Sequence, residues 1–505
     1  MAKTDTDAKA LKVARALKNA ENWKHLARRH NDGYYELHTE DTGATPVRLF
    51  LTKQLLDDAE DILYRQIVNA TRFPGVRMVV ITPDTHYGYG VPVGCVLITD
   101  ADAGAVAMGP VGYDIGCGMM SARSEVEAER ATPEKRLEFN RAVMEKVSMG
   151  AGGRSVRLGA LEKPEFNNLV RGGAEYYVEK YGATFDRSRA ERHRIPVDDG
   201  WQIPWGGKGR PERGLNQLGS LGGGNHFIEL QRSEQTGTIF VQVHTGSRGF
   251  GHGLATNYFE LAREERPDQM TDIDLGYFTP DSRHYRDYLN AVAAGGNYAI
   301  LNRLIIYEQV ADAFREVFGR ELELVYEISH NLVQREQHPE FGEVWVHRKG
   351  ATRAFPTGHP ALKGTHWEET GHPVLIPGSN KDWSYILQPL AKAVNSGYSV
   401  NHGAGRRLSR GEATRTLSQR AIDDEYREAG ILVNINGRVP LDEAAPAYKS
   451  SQQVIEAVVG AGLARVEHQL WPLASLKGAD ERRGKRRKQP GRGDMKKGRK
   501  TKEHY

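Results

Sequence analysis

Asp114 and Cys117 stand three residues apart in the string GPVGYDIGCG, so a carboxylate and a thiol share a turn that its glycines allow to fold sharply. Four histidines have similar surroundings, each following a strand-like run or a glycine cluster and flanked by small or amide residues. They are His226 after Asn225, His244 in HTGSR, His330 before Asn331, and His402 after Asn401. Carboxylate, thiolate and imidazole are the donors that divalent metals take, so this set points to a metal centre. Donor softness alone points to zinc. The other cysteine, Cys95 in the apolar run VGCVLIT, is expected to be a buried core thiol.

His402 opens a second chemistry. It is followed by Gly403, Ala404, Gly405 and Arg406 in HGAGRRLSR. A ring nitrogen there can meet a phosphorus centre while guanidiniums hold phosphate oxygens, an arrangement suited to phosphoryl or nucleotidyl transfer. Arg248, Arg348, Lys349 and Lys477 can extend the same phosphate-binding surface. The chain has no Walker A string, no Rossmann glycine fingerprint and no HExxH, so a nucleotide would need an unusual cradle.

These residues are scattered along the chain, so a large body must bring them together. At 505 residues the chain is about three times the usual domain length. Mean hydropathy is −0.58, and no run approaches the roughly 18 apolar residues of a bilayer-spanning helix, which argues against a membrane protein. The first residues lack the apolar centre and cleavage site of a secretory leader, and two cysteines cannot build a disulfide framework, so a cytoplasmic protein is expected.

Glycine is abundant, 55 residues, and is gathered in clusters that suggest loops wrapped closely around a ligand. Between the clusters lie strand-like runs (VRMVVIT, GCVLIT, GTIFVQVHT, ELELVYEISH, GEVWVHR). Helix-periodic runs are expected over 133–147, 287–318 and 451–466. Strands and helices alternate without a βαβ beat, so the expected fold is α+β, with mixed sheets and surrounding helices, and neither Rossmann nor P-loop. One body over 1–478 is expected, with a polar, irregular surface insertion around 183–213. From Ala479 to Tyr505 the chain carries 12 Lys and Arg against 4 Asp and Glu. Such a segment is expected to be a disordered basic tail that attracts phosphate backbones.

The strings PDTHYGYGVPVG, GPVGYDIGCGM, QLGSLGGGNHFIEL, HTGSRGFGH, ISHNLVQRE, WVHRKGATRAFP, NHGAGRRLSR and PLASLKG follow one another from about residue 80 to residue 478. In types and order they resemble the successive motifs of the RNA-splicing ligase RtcB family. The resemblance implies a deep metal and nucleotide site, and a GTP- and Mn²⁺-dependent ligase. Such an enzyme joins RNA 3′-phosphate or 2′,3′-cyclic phosphate ends to 5′-hydroxyl ends, in tRNA splicing or RNA repair, with or without an activating protein partner. It implies two Mn²⁺ ions, one held by Asp114, Cys117 and His226 and the other by Cys117, His244 and His330.

The same resemblance makes His402 the nucleophile that takes GMP, oriented by Asp84, with Arg248 and Arg406 gripping phosphate. The guanylate pocket would be lined by Asn225, His226, Phe227, Ile228, Glu229, His330, Asn331, Pro377, Gly378, Ser379, Asn380, Ser384, His402, Gly403, Ala404, Gly405, Arg406 and Lys477. Two departures from the family pattern stand out. Asn380-Lys381-Asp382-Trp383 replaces the usual Met-Gly-Thr-x before Ser384, and Gly116 takes the place of an asparagine. The other readings of the same residues are a metal-dependent RNA-end phosphodiesterase or nucleotidyl transferase that does not seal, and a non-catalytic RNA-end binder.

Overall fold

The computed structural model describes residues 17–190, 194–267 and 272–478. The expected basic tail, 479–505, lies outside the described residues.

The β-branched runs read from the sequence pair into two large sheets. One has seven strands, in the order Ala27–Arg29, Tyr35–Leu37, Val47–Leu49, Val76–His86, Val93–Asp100, Gly342–Lys349, Asn331–His338. All its pairs are antiparallel except Val47–Leu49 with Val76–His86. The second has eight. Its main path runs Glu323–Ser329, Gly118–Glu127, Thr238–Thr245, Phe227–Ser233, Ala464–Lys477, Ser384–Pro389, Val374–Ile376, and Leu432–Val433 joins Ala464–Lys477 in parallel. The last described strand therefore sits inside its sheet, between strands that precede it by more than 70 and more than 200 residues. This is the mixed α+β architecture expected, with no doubly wound parallel sheet among the described residues.

The largest core lies where the eight-stranded sheet meets helices Pro133–Lys146, Lys163–Tyr181, Arg248–Glu265 and the long helix Tyr285–Phe318. That long helix is buried over most of its circumference, which is why its sequence is apolar nearly all round. Burying a single Leu or Ile side chain contributes about 1.5–3 kcal/mol, and this helix buries Ile300, Leu301, Leu304, Ile305 and Ile306 in succession. Cys95 is fully buried in the core of the seven-stranded sheet.

Two expectations need revision. The helix expected over 451–466 ends at Gly460, because Gly462 turns the chain at φ +67° and Ala464 enters the sheet beside Pro389. The described residues of 183–213 (183–190 and 194–213) do not lie free on the surface. Phe185, Trp201 and Ile203 are buried in the main core, and the Ile195 and Asp198 backbone N–H groups donate to Asn297 and Asn290 of the long helix. Among the described residues no helix is long and apolar enough to cross a membrane.

Candidate functional site

Five donor side chains from four separate parts of the chain converge. Asp114 and Cys117 come from the turn before Gly118–Glu127, His226 from just before Phe227–Ser233, His244 from the end of Thr238–Thr245, and His330 from the corner between two strands belonging to different sheets. Cys117 Sγ lies 3.3 Å from His244 Nε2 and 3.7 Å from His226 Nε2. His226 Nε2 is 3.1 Å from Asp114 Oδ2, and His244 Nε2 is 3.3 Å from His330 Nε2. The atoms form two triads, Asp114–Cys117–His226 and Cys117–His244–His330, with the thiol common to both.

The hydrogen bonds around the cluster fix the orientation of two of its rings. His226 Nδ1 lies 2.9 Å from the Leu221 carbonyl and His244 Nδ1 lies 3.0 Å from the Asn225 carbonyl. With Nδ1–H donating outwards, each Nε2 turns its lone pair toward the centre. Burial pulls His244 and His330 well below the ordinary histidine range, so both rings are neutral. Burial and Asp114 push the Cys117 thiol up, a cost that a bound cation would reverse. Asp114 resists its own burial through His226 and the Ser247 backbone N–H, which hold it below the ordinary carboxylate range. The donor set and its outward hydrogen bonds fit two divalent cations sharing a thiolate.

Behind the cluster stands Arg303, a residue that motif reading missed. It is fully buried on the long helix and paired with equally buried Glu327. Its Nη1 donates to the carbonyls of Gly116 at 2.7 Å and Thr245 at 2.9 Å, and its Nη2 donates to Ser329 Oγ at 2.7 Å. Each of these neighbours a donor of the cluster: Cys117, His244 or His330. One guanidinium thus ties three ligand-bearing segments together, and a lone arginine in the apolar run LNRLIIY was the available signal.

His402 adjoins the second triad, with its ring centroid 4.8 Å from that of His330. Its Nδ1 lies 2.6 Å from Asp84 Oδ2. The same carboxylate accepts Thr82 Oγ1 at 2.6 Å and the backbone N–H groups of His402 and Gly403. Burial would raise Asp84, but His402 and Thr82 outweigh it and hold the carboxyl below its ordinary value. Gly405 makes this approach possible. At φ +78°, a Cβ on it would lie 2.0 Å from the Asp84 carbonyl oxygen.

His402 opens on a cavity of about 340 Å³. Of the expected guanylate residues, Asn225, Phe227, His330, Asn331, Pro377, Gly378, Ser379, Gly403, Ala404, Gly405, Arg406 and Lys477 line it, as does Tyr448, which sequence reasoning missed. Ile228, Glu229, Asn380 and Ser384 stand behind the wall. Ile228 belongs to the main core, and Ser384 Oγ accepts the Gly378 N–H at 3.0 Å. Burial pushes the Glu229 carboxyl up to about 7 even though Gln231 Nε2 donates to it at 2.7 Å. The altered residues turn away from the cavity. Asn380 bonds Tyr426, Lys381 pairs with Glu425, Asp382 accepts the Ser451 N–H, and Trp383 packs edge-on against Trp471.

The basic residues fall into three groups. Arg406, Arg410 and Lys477 converge on buried Glu443, at 3.3, 3.2 and 3.8 Å, and Arg406 also bonds Tyr448. Arg248 and His226 line an adjoining cavity of about 1220 Å³ that shares Asp114, Asn225, Arg410 and Lys477 with the first. Arg248 Nη2 donates there to the Gly150 carbonyl at 3.1 Å. Arg348 does not extend the phosphate surface, because it is buried in a pair with Glu336. Lys349 lines the first cavity but donates to the Tyr89 and Val91 carbonyls, and burial lowers its ammonium to about 8.

Comparison with known proteins adds a separate line. A family model described as tRNA-splicing ligase RtcB matches residues 66–478. A protein of Pyrobaculum aerophilum named tRNA-splicing ligase RtcB is 36% identical over 466 residues, covering 86% of this chain and 95% of its own. One from Thermococcus kodakarensis with the same name is 35% identical, covering 86% and 95%. The RNA-splicing ligase RtcB of Mycobacterium tuberculosis is 37% identical over 440 residues, covering 82% of this chain and 100% of its own.

Proposed function

The chain belongs to the RtcB family of RNA-splicing ligases, and from that premise we propose that it seals RNA 3′-phosphate or 2′,3′-cyclic phosphate ends to 5′-hydroxyl ends through a GMP carried on His402. The observation that carries this reading is the place of His402: on the cavity wall, against the second triad, with Asp84 behind it.

With Nδ1 turned to Asp84, Nε2 is the nitrogen left to attack. It would form a bond to the α-phosphorus of GTP as the bond to pyrophosphate breaks, and Asp84 would stabilise the imidazolium that results. The GMP would pass to the RNA 3′-phosphate, freeing His402. The 5′-hydroxyl oxygen would then attack that activated phosphorus, lose its proton and expel GMP. A cyclic phosphate would first be hydrolysed to the 3′-monophosphate.

Asp114, Cys117 and His226 would hold one Mn²⁺, and Cys117, His244 and His330 the other. Bound there, the ions would supply Lewis-acid stabilisation of phosphate charge. Arg248 and Arg406 would hold phosphate oxygens, with Arg406 exchanging part of its contact with Glu443 for the ligand. Lys477, on the cavity wall, would read the guanine edge, with Ser384 supporting the wall from behind through the Gly378 N–H. Of the stretch 377–384 only Pro377, Gly378 and Ser379 line the cavity, which supports a guanylate face unaffected by the altered residues 380–383.

The test is incubation with radiolabelled GTP and Mn²⁺, comparing wild type with His402→Ala on a denaturing gel. Label on the wild type alone, stable to base and labile to acid, is the expected result. Absence of label with any nucleotide would overturn the proposal in favour of end hydrolysis without sealing.

A further inference from the structure

Tyr89 is 61% exposed, yet its backbone is held firmly. Lys349 Nζ donates to its carbonyl at 2.7 Å and to that of Val91 at 3.1 Å, and Asn69 Nδ2 donates to the Gly90 carbonyl between them at 2.8 Å. A solvent-facing ring ordinarily rides on a loose loop. This one is presented on a fixed backbone, which lowers the ordering cost of anything that packs on it.

The ring is also buttressed. Tyr89 meets Tyr113 edge-on, with centroids 6.3 Å apart, and Tyr113 stacks on Phe259 at 4.6 Å. The Tyr113 hydroxyl donates to Asp274 Oδ1 at 3.0 Å. The segment before Tyr113 packs backbone to backbone on the same residue, and a Cβ on Gly109 would fall 2.1 Å from the Asp274 carbonyl oxygen. Tyr89 and Tyr113 line the cavity that contains His402, and the arginines Arg213, Arg248 and Arg410 line the adjoining one.

Tyr89 therefore shares one cavity wall with the donor cluster and with Arg406, Arg410 and Lys477, the pairing of aromatic face and positive groove that single-stranded nucleic acid binds. Two polar groups of the same wall are already engaged, Lys349 with the loop and Asp274 with Tyr113. A base resting there would be held by its face and not read at its edge. We propose that Tyr89 is a stacking platform for the terminal base of a single-stranded RNA end entering the metal centre, accepting any base. This rests on the RNA-ligase reading and deepens it by assigning a subsite.

The test is a binding cycle on the full chain with Mn²⁺, using short single-stranded RNAs that carry either a 5′-hydroxyl or a 3′-phosphate end. Each RNA has a normal or an abasic terminal nucleotide, and the proteins are wild type, Tyr89→Ala, Tyr89→Phe and Tyr87→Ala. Tyr87 is the control, 52% exposed two residues earlier but not on the cavity wall.

Losing one base stack should raise Kd about tenfold. Tyr89→Ala should show this with normal RNA and no further loss with the abasic end, while Tyr89→Phe and Tyr87→Ala bind like wild type. The arm that responds identifies which RNA end uses the ring. An equal abasic penalty in wild type and Tyr89→Ala overturns the proposal, as does an equal loss in Tyr87→Ala. Because Kd is read without guanylylation, a failure here is distinct from a failure of the His402 labelling experiment.

Discussion

Asp84 Oδ2 lies 2.6 Å from the ring Nδ1 of His402 and 3.1 Å from the backbone nitrogen of the same residue. One carboxylate oxygen thus fixes both the position of the main chain and the orientation of the ring. Asp84→Asn keeps an acceptor for the backbone but removes the charge that steadies an imidazolium. Single-turnover transfer of label from GTP to protein should slow by about 100-fold or more, the scale of a lost acid–base partner. Transfer at the wild-type rate would show that His402 does not depend on this charge.

The shared thiol makes the two triads unequal to mutation. Cys117→Ala removes a donor from both, whereas His330→Ala removes one from the second triad alone. Metal analysis after Mn²⁺ loading and gel filtration should give about two ions per chain for wild type, about one for His330→Ala and fewer than one for Cys117→Ala. Equal retention in the two variants would contradict a bridging role for Cys117.

Removing Arg303 would take from fully buried Glu327 the guanidinium that offsets its burial. Breaking such a pair costs about 3–5 kcal/mol, so Arg303→Met should lower the urea midpoint sharply and weaken metal binding. Arg303→Met combined with Glu327→Leu should regain much of the stability but not the metal affinity, because the bonds to Gly116, Thr245 and Ser329 stay lost. Full recovery of both would reduce Arg303 to a packing element.

Glu229 should make stability depend on pH. Its folded pKa of about 7 lies above its ordinary 4.5, so the folded state holds the proton more tightly than the unfolded chain between those values. The stabilisation is complete below pH 4.5 and is lost as pH rises through 7, amounting to about 3 kcal/mol for a shift of this size. The stability of wild type relative to Glu229→Gln should fall across that window in urea titrations of the nucleotide-free protein. A constant difference would mean that Glu229 stays ionised when buried.

The site was legible where chemistry and glycine lie together in short strings. Asp114, Cys117, the four histidines and the GAGR segment could be picked out because each carries its own local signature. Residues that act across the fold could not. Glu443 gathers Arg406, Arg410 and Lys477 from an unremarkable LDEAAP, and Arg348 sits in a basic string yet is spent on Glu336 twelve residues away. Charge in a sequence does not reveal whether its partner is solvent, protein or ligand. Sheet order was hidden for the same reason, since strand pairing depends on contacts between distant segments, while the α+β class followed from strand and helix periodicity alone.

The interior place of the Ala464–Lys477 strand bears on how the protein is made. Until residue 477 has left the ribosome, Phe227–Ser233 and Ser384–Pro389 have no strand between them. At about 5–20 residues per second, the earlier half of that sheet waits on the order of ten seconds or more for its closing piece. A nascent chain would have made all five donors of the cluster before the wall bearing Lys477 existed.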